Sequence, residues 1–151
     1  MSENDYRIQH QAPSEKTGAP LSDLTGNGVY PDDIYDERTQ IKYYGTGEAE
    51  ADRESLDVIN RVRGNPDAMV TVYRALPLDA DELNRGDWIT LSPTYAKGHL
   101  TSVLHDAGHV VSFLVRAGDL YTNGDSLNEF GWAPEGVGLT KPDEQSPDMD
   151  I

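Results

Sequence analysis

Residues 69–75 have the sequence Met-Val-Thr-Val-Tyr-Arg-Ala, and residues 69–73 alternate in a β-branched, apolar pattern. This alternation predicts a half-buried strand. Upstream, residues 48–63 carry apolar side chains at helical spacing. They predict a helix whose buried stripe contains Leu56, Ile59 and Val62, joined by Ala49 and the stem of Arg53. Gly64-Asn65-Pro66 is expected to end that helix.

Beyond residue 75, short strand patterns surround one helical pattern. The predicted order is a strand at 87–92, a helix at 94–105, strands at 109–116 and 120–122, a turn at Asn123-Gly124 and a last strand at 126–132. Ser92 or Thr94 is expected near the N-cap of this helix, with Pro93 in its first turn. Because strands and helices do not alternate regularly, the sequence predicts an α+β fold rather than a βαβ repeat.

The length of 151 residues fits one domain. Residues 1–20 show little periodicity and are predicted to be a flexible N-terminal arm. Residues 21–135 contain the apolar patterning and are predicted to form the single domain. Residues 136–151 are predicted to be an acidic flexible tail.

The composition narrows the class of protein. The formal net charge is −15, which argues against nonspecific binding to phosphate backbones. An acidic surface favours solubility, and it could also dock on a basic partner or imitate nucleic acid. No membrane span or signal peptide is predicted. The absence of cysteine excludes disulfides and thiolate ligands and fits a cytoplasmic protein.

The sequence does not predict a phosphate loop, a histidine metal site or a nucleophile elbow. Gly26-Asn-Gly28 lacks the Gly-Lys-Ser/Thr ending of a phosphate loop. His105 and His109 are separated by Gly108, which is expected to divide a helix from a strand, so no metal site is predicted there. A Gly-x-Ser-x-Gly nucleophile elbow does not occur.

Three polar residues each lie at the edge of a predicted apolar strand: Arg74, Ser92 and Glu129. If a small sheet brought them together, they could bind a phosphorylated sugar and stabilise positive charge on it. The sequence is also consistent with simpler roles for these three residues. Arg74 could be a surface residue, Ser92 a helix N-cap and Glu129 an edge-strand charge that opposes aggregation.

The motifs that contain these residues resemble the Arg-Ser-Glu class of ADP-ribosyltransferases, in particular short domains of that superfamily in phage and mobile-element proteins. They are Val72-Tyr-Arg74-Ala75, Gly86-Asp-Trp-Ile-Thr-Leu-Ser92-Pro-Thr-Tyr-Ala96 and Gly118-Asp-Leu-Tyr-Thr-Asn-Gly-Asp-Ser-Leu-Asn-Glu129-Phe-Gly-Trp132. They follow the order of the family and cover residues 69–133, with a weaker similarity at residues 19–44.

This resemblance implies a split β-sheet of two small, packed, mainly antiparallel sheets with flanking helices. It also implies NAD as co-substrate and transfer of ADP-ribose to a host protein or nucleic acid. Arg74, Ser92 and Glu129 would be the catalytic residues: Arg74 on a phosphate of NAD, Ser92 in the nicotinamide-ribose site orienting Glu129, and Glu129 stabilising the transition state. The implied NAD-contacting residues are Arg74, Ala75, Ser92, Tyr95 and Tyr73.

Aromatic residues near these motifs have alternative roles. Tyr95 could line the cleft and stack on nicotinamide, or it could be a core aromatic residue. Trp88 and Trp132 are expected in the core.

One position departs from the family. Arginine-modifying members carry a second acid, and others a Gln, two residues before the catalytic glutamate, where this chain has Leu127. Leucine cannot polarise a guanidinium, so the acceptor is left open between another side chain, a base and water. Asp125 would substitute only if it shared a strand face with Glu129.

The leading functional hypothesis is therefore an NAD-dependent ADP-ribosyltransferase acting in the cytoplasm, of the host if the gene is phage-borne. The alternative is a non-catalytic acidic inhibitor or decoy that binds a basic nucleic-acid-handling complex, as an anti-defence protein would. A structural virion component is a third, less supported hypothesis.

Overall fold

The structure, a computed structural model, describes residue 14, residues 16–105 and residues 107–134. Within these residues the strands are β1 (Ala19–Pro20), β2 (Met69–Pro77), β3 (Trp88–Ile89), β4 (Gly108–Arg116), β5 (Leu120–Thr122) and β6 (Phe130–Trp132). They form two antiparallel sheets, one of four strands in the order β1-β5-β6-β3 and one that pairs β2 with β4.

Helices are few in the described part of the chain. They are α1 (Gln40–Tyr44), α2 (Ala49–Arg61) and α3 (Pro93–Leu104), with 3-10 turns at Gly26–Gly28, Asp32–Tyr35 and Ala117–Asp119. The general α+β prediction is therefore confirmed, with two small antiparallel sheets in place of a βαβ repeat.

The predicted elements agree with the structure except at the end of the first predicted strand, at residues 87–92 and at residues 126–129. The strand at 69–73 extends to Pro77 and pairs with β4 over its whole length. The strand predicted at 87–92 is reduced to β3 and a bridge at Thr90. The last strand was predicted from residue 126, which is wrong, because β6 begins at Phe130. Before it, Asn128 N donates to Ser126 Oγ (3.0 Å) in a turn.

The two sheets are joined at one bridge between β2 and the residue after β3. Tyr73 N donates to Thr90 O (2.9 Å), and Thr90 N donates to Tyr73 O (2.9 Å). Since Arg74 follows Tyr73 directly, this bridge fixes the backbone of the predicted arginine against the larger sheet.

The core lies between the sheets and α2. Leu56 and Ile59 of the helix and Val62, which caps its C-terminus, are buried as predicted, whereas Ala49 and Arg53 are exposed. The largest fully buried apolar side chains are Phe130, Leu21, Leu24, Ile34, Ile59, Leu120, Leu127, Val62, Val70 and Val72. Burying an aliphatic or aromatic side chain of this size stabilises the folded state by about 1.5–3 kcal/mol.

The folded unit begins before residue 21. Ala19 is fully buried, Ala19 and Pro20 pair with β5, and Leu21 N donates to Leu120 O (2.8 Å). The C-terminal end of the predicted N-terminal arm therefore belongs to the larger sheet. Residues 1–13 of that arm, and the predicted tail at 136–151, lie outside the described residues. Among the described helices, none has the length and apolar character to cross a membrane.

A buried polar network ties α2 to the turn that precedes β6. The Asp52 carboxylate, 1% exposed, accepts hydrogen bonds from Thr46 N (2.8 Å), Thr46 Oγ1 (2.7 Å) and Asn128 Nδ2 (3.0 Å). Ser55 Oγ, one turn along the helix, donates to Asn128 Oδ1 (2.6 Å). Both ends of the Asn128 amide are therefore held by α2.

We expect Asp52→Ala to lower the free energy of unfolding by about 1–3 kcal/mol, because it removes the buried carboxylate that accepts from Thr46 and from the buried amide of Asn128. Urea denaturation measures the loss. Asp57→Ala removes an exposed acid from the same helix and should change stability by less than about 0.5 kcal/mol. Equal effects of the two substitutions would contradict a structural role for the network.

Candidate active site

An open cleft lies where the two sheets meet α3. The cleft has a volume of about 100 Å³, below the roughly 300–1,000 Å³ of pockets that bury a drug-sized ligand, so it would enclose only part of a larger ligand. Its lining consists of Tyr73, Arg74, Ala75, Trp88, Ile89, Thr90, Tyr95, Ala96, His99 and Glu129. The structure thus brings five of the six predicted site residues to one cleft, and Ser92 is the residue that does not line it.

Arg74 projects from β2 into this cleft. Its Nη1 donates to the carbonyl oxygen of Trp88, while its Nε is buried and has no hydrogen-bond partner among the described residues. The guanidinium is permanently charged, so an anionic group entering the cleft would be stabilised there. Trp88 was expected in the core, which is wrong: it is half-buried and lines the cleft, whereas Trp132 is buried.

Glu129 and Tyr95 both line the cleft and are in direct contact. The Tyr95 hydroxyl donates to Glu129 Oε2. Burial raises the pKa of the Tyr95 hydroxyl, and its hydrogen bond to Glu129, with the charges of Glu129 and Glu48, raises that pKa further. The hydroxyl therefore stays protonated and keeps donating to the carboxylate throughout the physiological pH range. Tyr95 lines the cleft, which favours the first of its two expected roles.

Ser92 lies behind the cleft and is fully buried. It caps α3 as predicted, since Ser92 Oγ accepts from Tyr95 N (2.9 Å). The expected orientation of Glu129 by Ser92 is not found, because the Ser92 hydroxyl donates instead to Glu54 Oε1 (2.6 Å). The described contacts give that role to the Tyr95 hydroxyl.

The sequence patterns did not predict a role for Glu54, which lies on α2. Its carboxylate accepts from Ser92 Oγ, from Thr94 N (3.2 Å) and from Thr94 Oγ1 (2.9 Å). Burial works against ionisation of Glu54, but the hydrogen bonds from Ser92 and Thr94 and the charge of Lys97 outweigh it and lower the pKa of the carboxyl. Glu54 is therefore an anion at neutral pH.

The sequence did contain a signal for the buried face of α2, although not for Glu54, which lies on a different face of the helix. Asp52, Ser55, Leu56 and Ile59 are spaced three and four apart, so the two polar residues share the buried stripe with the two apolar ones. A carboxylate on an apolar stripe needs buried partners. That pattern would have predicted a polar network at this helix, although not the identity of its partners.

The other sequence candidates contribute nothing to the cleft chemistry. His105 ends α3 in a left-handed conformation, and His109 on β4 bonds Ala80 O through Nε2 (2.8 Å). Across the described residues, no cluster of three or more possible metal ligands occurs. Leu127 is buried in the core. Asp125 lies in a turn, so the strand face that it was to share with Glu129 does not exist.

Comparison of the chain with protein-family models, curated proteins and solved structures finds no match. The assignment of function therefore depends on the geometry of the cleft and on the sequence resemblance.

We expect Ser92→Ala to lower the free energy of unfolding by about 1–2 kcal/mol, because it removes the cap of α3 and leaves Tyr95 N without its acceptor. Thermal or urea denaturation checks this value. Ser102→Ala, at an exposed position of the same helix, is the matched control and should leave stability within about 0.5 kcal/mol. A Ser92→Ala variant as stable as the control would rule out the capping role.

Proposed function

We propose that the chain is an NAD-dependent ADP-ribosyltransferase with the split-sheet fold of that superfamily. It cleaves the nicotinamide–ribose bond and transfers ADP-ribose to a macromolecular acceptor. The observation that carries the proposal is the convergence of the Arg74 guanidinium and the Glu129 carboxylate on one cleft. The two sheets, joined by the bridge between Tyr73 and Thr90, support the fold assignment.

Arg74 is the residue proposed to bind the pyrophosphate of NAD. Its guanidinium is always charged and can bind phosphate oxygens through two parallel hydrogen bonds. In a chain with a net charge of −15, the general field opposes an anionic ligand. A cation that lines the cleft offsets that repulsion locally.

Glu129 is proposed to stabilise the reaction centre. When the bond between the ribose and nicotinamide breaks, its electron pair leaves with the nicotinamide nitrogen and the ribose gains oxocarbenium character. A carboxylate placed beside that positive charge lowers the barrier, as in glycosidases. The hydrogen bond from Tyr95 fixes the carboxylate before the substrate arrives, which avoids reorganisation during the reaction.

The acceptor is not an arginine in this proposal. Leu127, at the position where arginine-modifying relatives would place a second acid, is buried in the core and cannot contact an acceptor. Another protein side chain or a nucleic-acid base therefore receives the ADP-ribose in this proposal.

Replacement of the carboxylate by its isosteric amide tests the chemical role. Glu129→Gln should reduce nicotinamide release from NAD by about 10²–10³-fold, while NAD affinity changes little, since the lost interaction belongs to the transition state. Chromatography of released nicotinamide measures turnover, and Glu37→Gln, an exposed acid, is the control. A wild-type chain that binds no NAD, but forms a salt-sensitive complex with a basic partner, would instead support the acidic decoy.

Removal of the guanidinium tests the binding role. Arg74→Ala should weaken NAD binding by about 10–100-fold, the value of a charge-assisted hydrogen-bond pair. Isothermal titration calorimetry gives the dissociation constants, and Arg61→Ala, an exposed arginine on α2, controls for the change of net charge. If the two arginine variants bind NAD equally, Arg74 is not the phosphate ligand.

A further inference from the structure

Glu54 connects α2 to the first turn of α3 by more hydrogen bonds than a helix cap requires. The serine cap of α3 is already complete, because Ser92 Oγ accepts from Tyr95 N. Glu54 adds a second layer behind it by accepting from Ser92 Oγ, Thr94 N and Thr94 Oγ1. A carboxylate at a helix N-terminus also interacts favourably with the helix dipole.

These bonds leave the start of α3 little freedom to rotate. The proton of the Ser92 hydroxyl is committed to Glu54 and an oxygen lone pair to Tyr95 N, so the serine rotamer is fixed. Tyr95 is the residue whose backbone this serine holds, and its hydroxyl reaches Glu129 at the far end of the side chain. A small rotation at Ser92 would therefore displace the hydroxyl that contacts the carboxylate.

The same turn of α2 also fixes the opposite side of this contact. Asp52 and Ser55 hold the amide of Asn128, and Glu129 is the next residue. Residues 52–55 of α2 therefore set the position of the tyrosine through one set of bonds and of the glutamate through another. The separation of Tyr95 and Glu129 depends on both sets.

We propose that Glu54 is a positioning residue for the reaction: acting through Ser92 and Thr94, it places the Tyr95 hydroxyl where it holds the Glu129 carboxylate in its reactive orientation. This inference rests on the proposed ADP-ribosyltransferase function. Glu54 does not line the cleft, so it acts on NAD only through Tyr95 and Glu129.

The first test separates positioning from charge. Glu54→Ala should lower kcat for nicotinamide release by about 10–100-fold, the effect of a misplacement near 1 Å, with KM for NAD changed by less than about twofold. Glu54→Gln keeps an oxygen for Ser92 and Thr94 N and should retain most of the wild-type kcat. Glu50→Ala removes an exposed acid from the same helix and should match wild type.

The second test asks whether Glu54 acts through Tyr95. Tyr95→Phe removes only the hydroxyl that contacts Glu129. The double variant Glu54→Ala/Tyr95→Phe should have the kcat of Tyr95→Phe alone, within about twofold, because both substitutions break the same path. Should Glu54→Ala fail to fold in a thermal melt, Glu54→Asp, too short to reach Ser92 and Thr94 together, takes its place with the same expected loss.

The possible results separate the two claims. A wild-type chain that releases no nicotinamide overturns the proposed function and this inference with it. With an active wild type, effects of Glu54 and Tyr95 substitutions that multiply, or a Glu54→Gln variant as slow as Glu54→Ala, overturn the inference alone. Loss of thermal stability with unchanged kcat would likewise reduce Glu54 to a purely structural cap.

Discussion

The hydrogen bond from Asn128 Nδ2 to the buried carboxylate of Asp52 is the constraint on which the candidate site depends. Phe130 is fixed by the core of the larger sheet, but Glu129 lies just before that strand, where the β-ladder does not hold it. The role proposed for the Glu129 carboxylate requires a defined position, and the anchored amide of the preceding residue provides it. Because the bonds from Asn128 to Asp52 and to Ser55 are buried, solvent cannot replace a lost partner there without cost.

Helix α2 forms hydrogen bonds to two separate segments that carry cleft residues. Asp52 and Ser55 hold the segment before β6, and Glu54 holds the start of α3, so segments far apart in the chain are registered on one helical turn. The bridge between Tyr73 and Thr90 adds Arg74 to the same arrangement. An acidic chain can in this way present one guanidinium and one carboxylate to a single cleft without forming a direct ion pair that would neutralise both.

The sequence predicted the α+β class and most elements because hydrophobic periodicity is a local property, which α2, β2 and β4 display clearly. It failed at residues 126–129, because the Asn128 side chain forms a tertiary contact with α2 that outweighs the local strand pattern. Arg74, Tyr95 and Glu129 were identified by motif and expected at one cleft, but the hydrogen bond between Tyr95 and Glu129 was not predicted. The partner of Ser92 could not be predicted either, since the hydrogen bond to Glu54 joins residues 38 positions apart.

We propose that one cleft holds both the pyrophosphate and the nicotinamide ribose of NAD, and a crystal structure of the chain with bound NAD or an unreactive analogue tests this most directly. The account predicts the nicotinamide ribose within about 2.6–3.2 Å of the Glu129 carboxylate and a phosphate of the ligand on the Arg74 guanidinium, in place of the Trp88 carbonyl. A dinucleotide bound elsewhere on the surface, or a cleft that stays empty at saturating NAD, would contradict it.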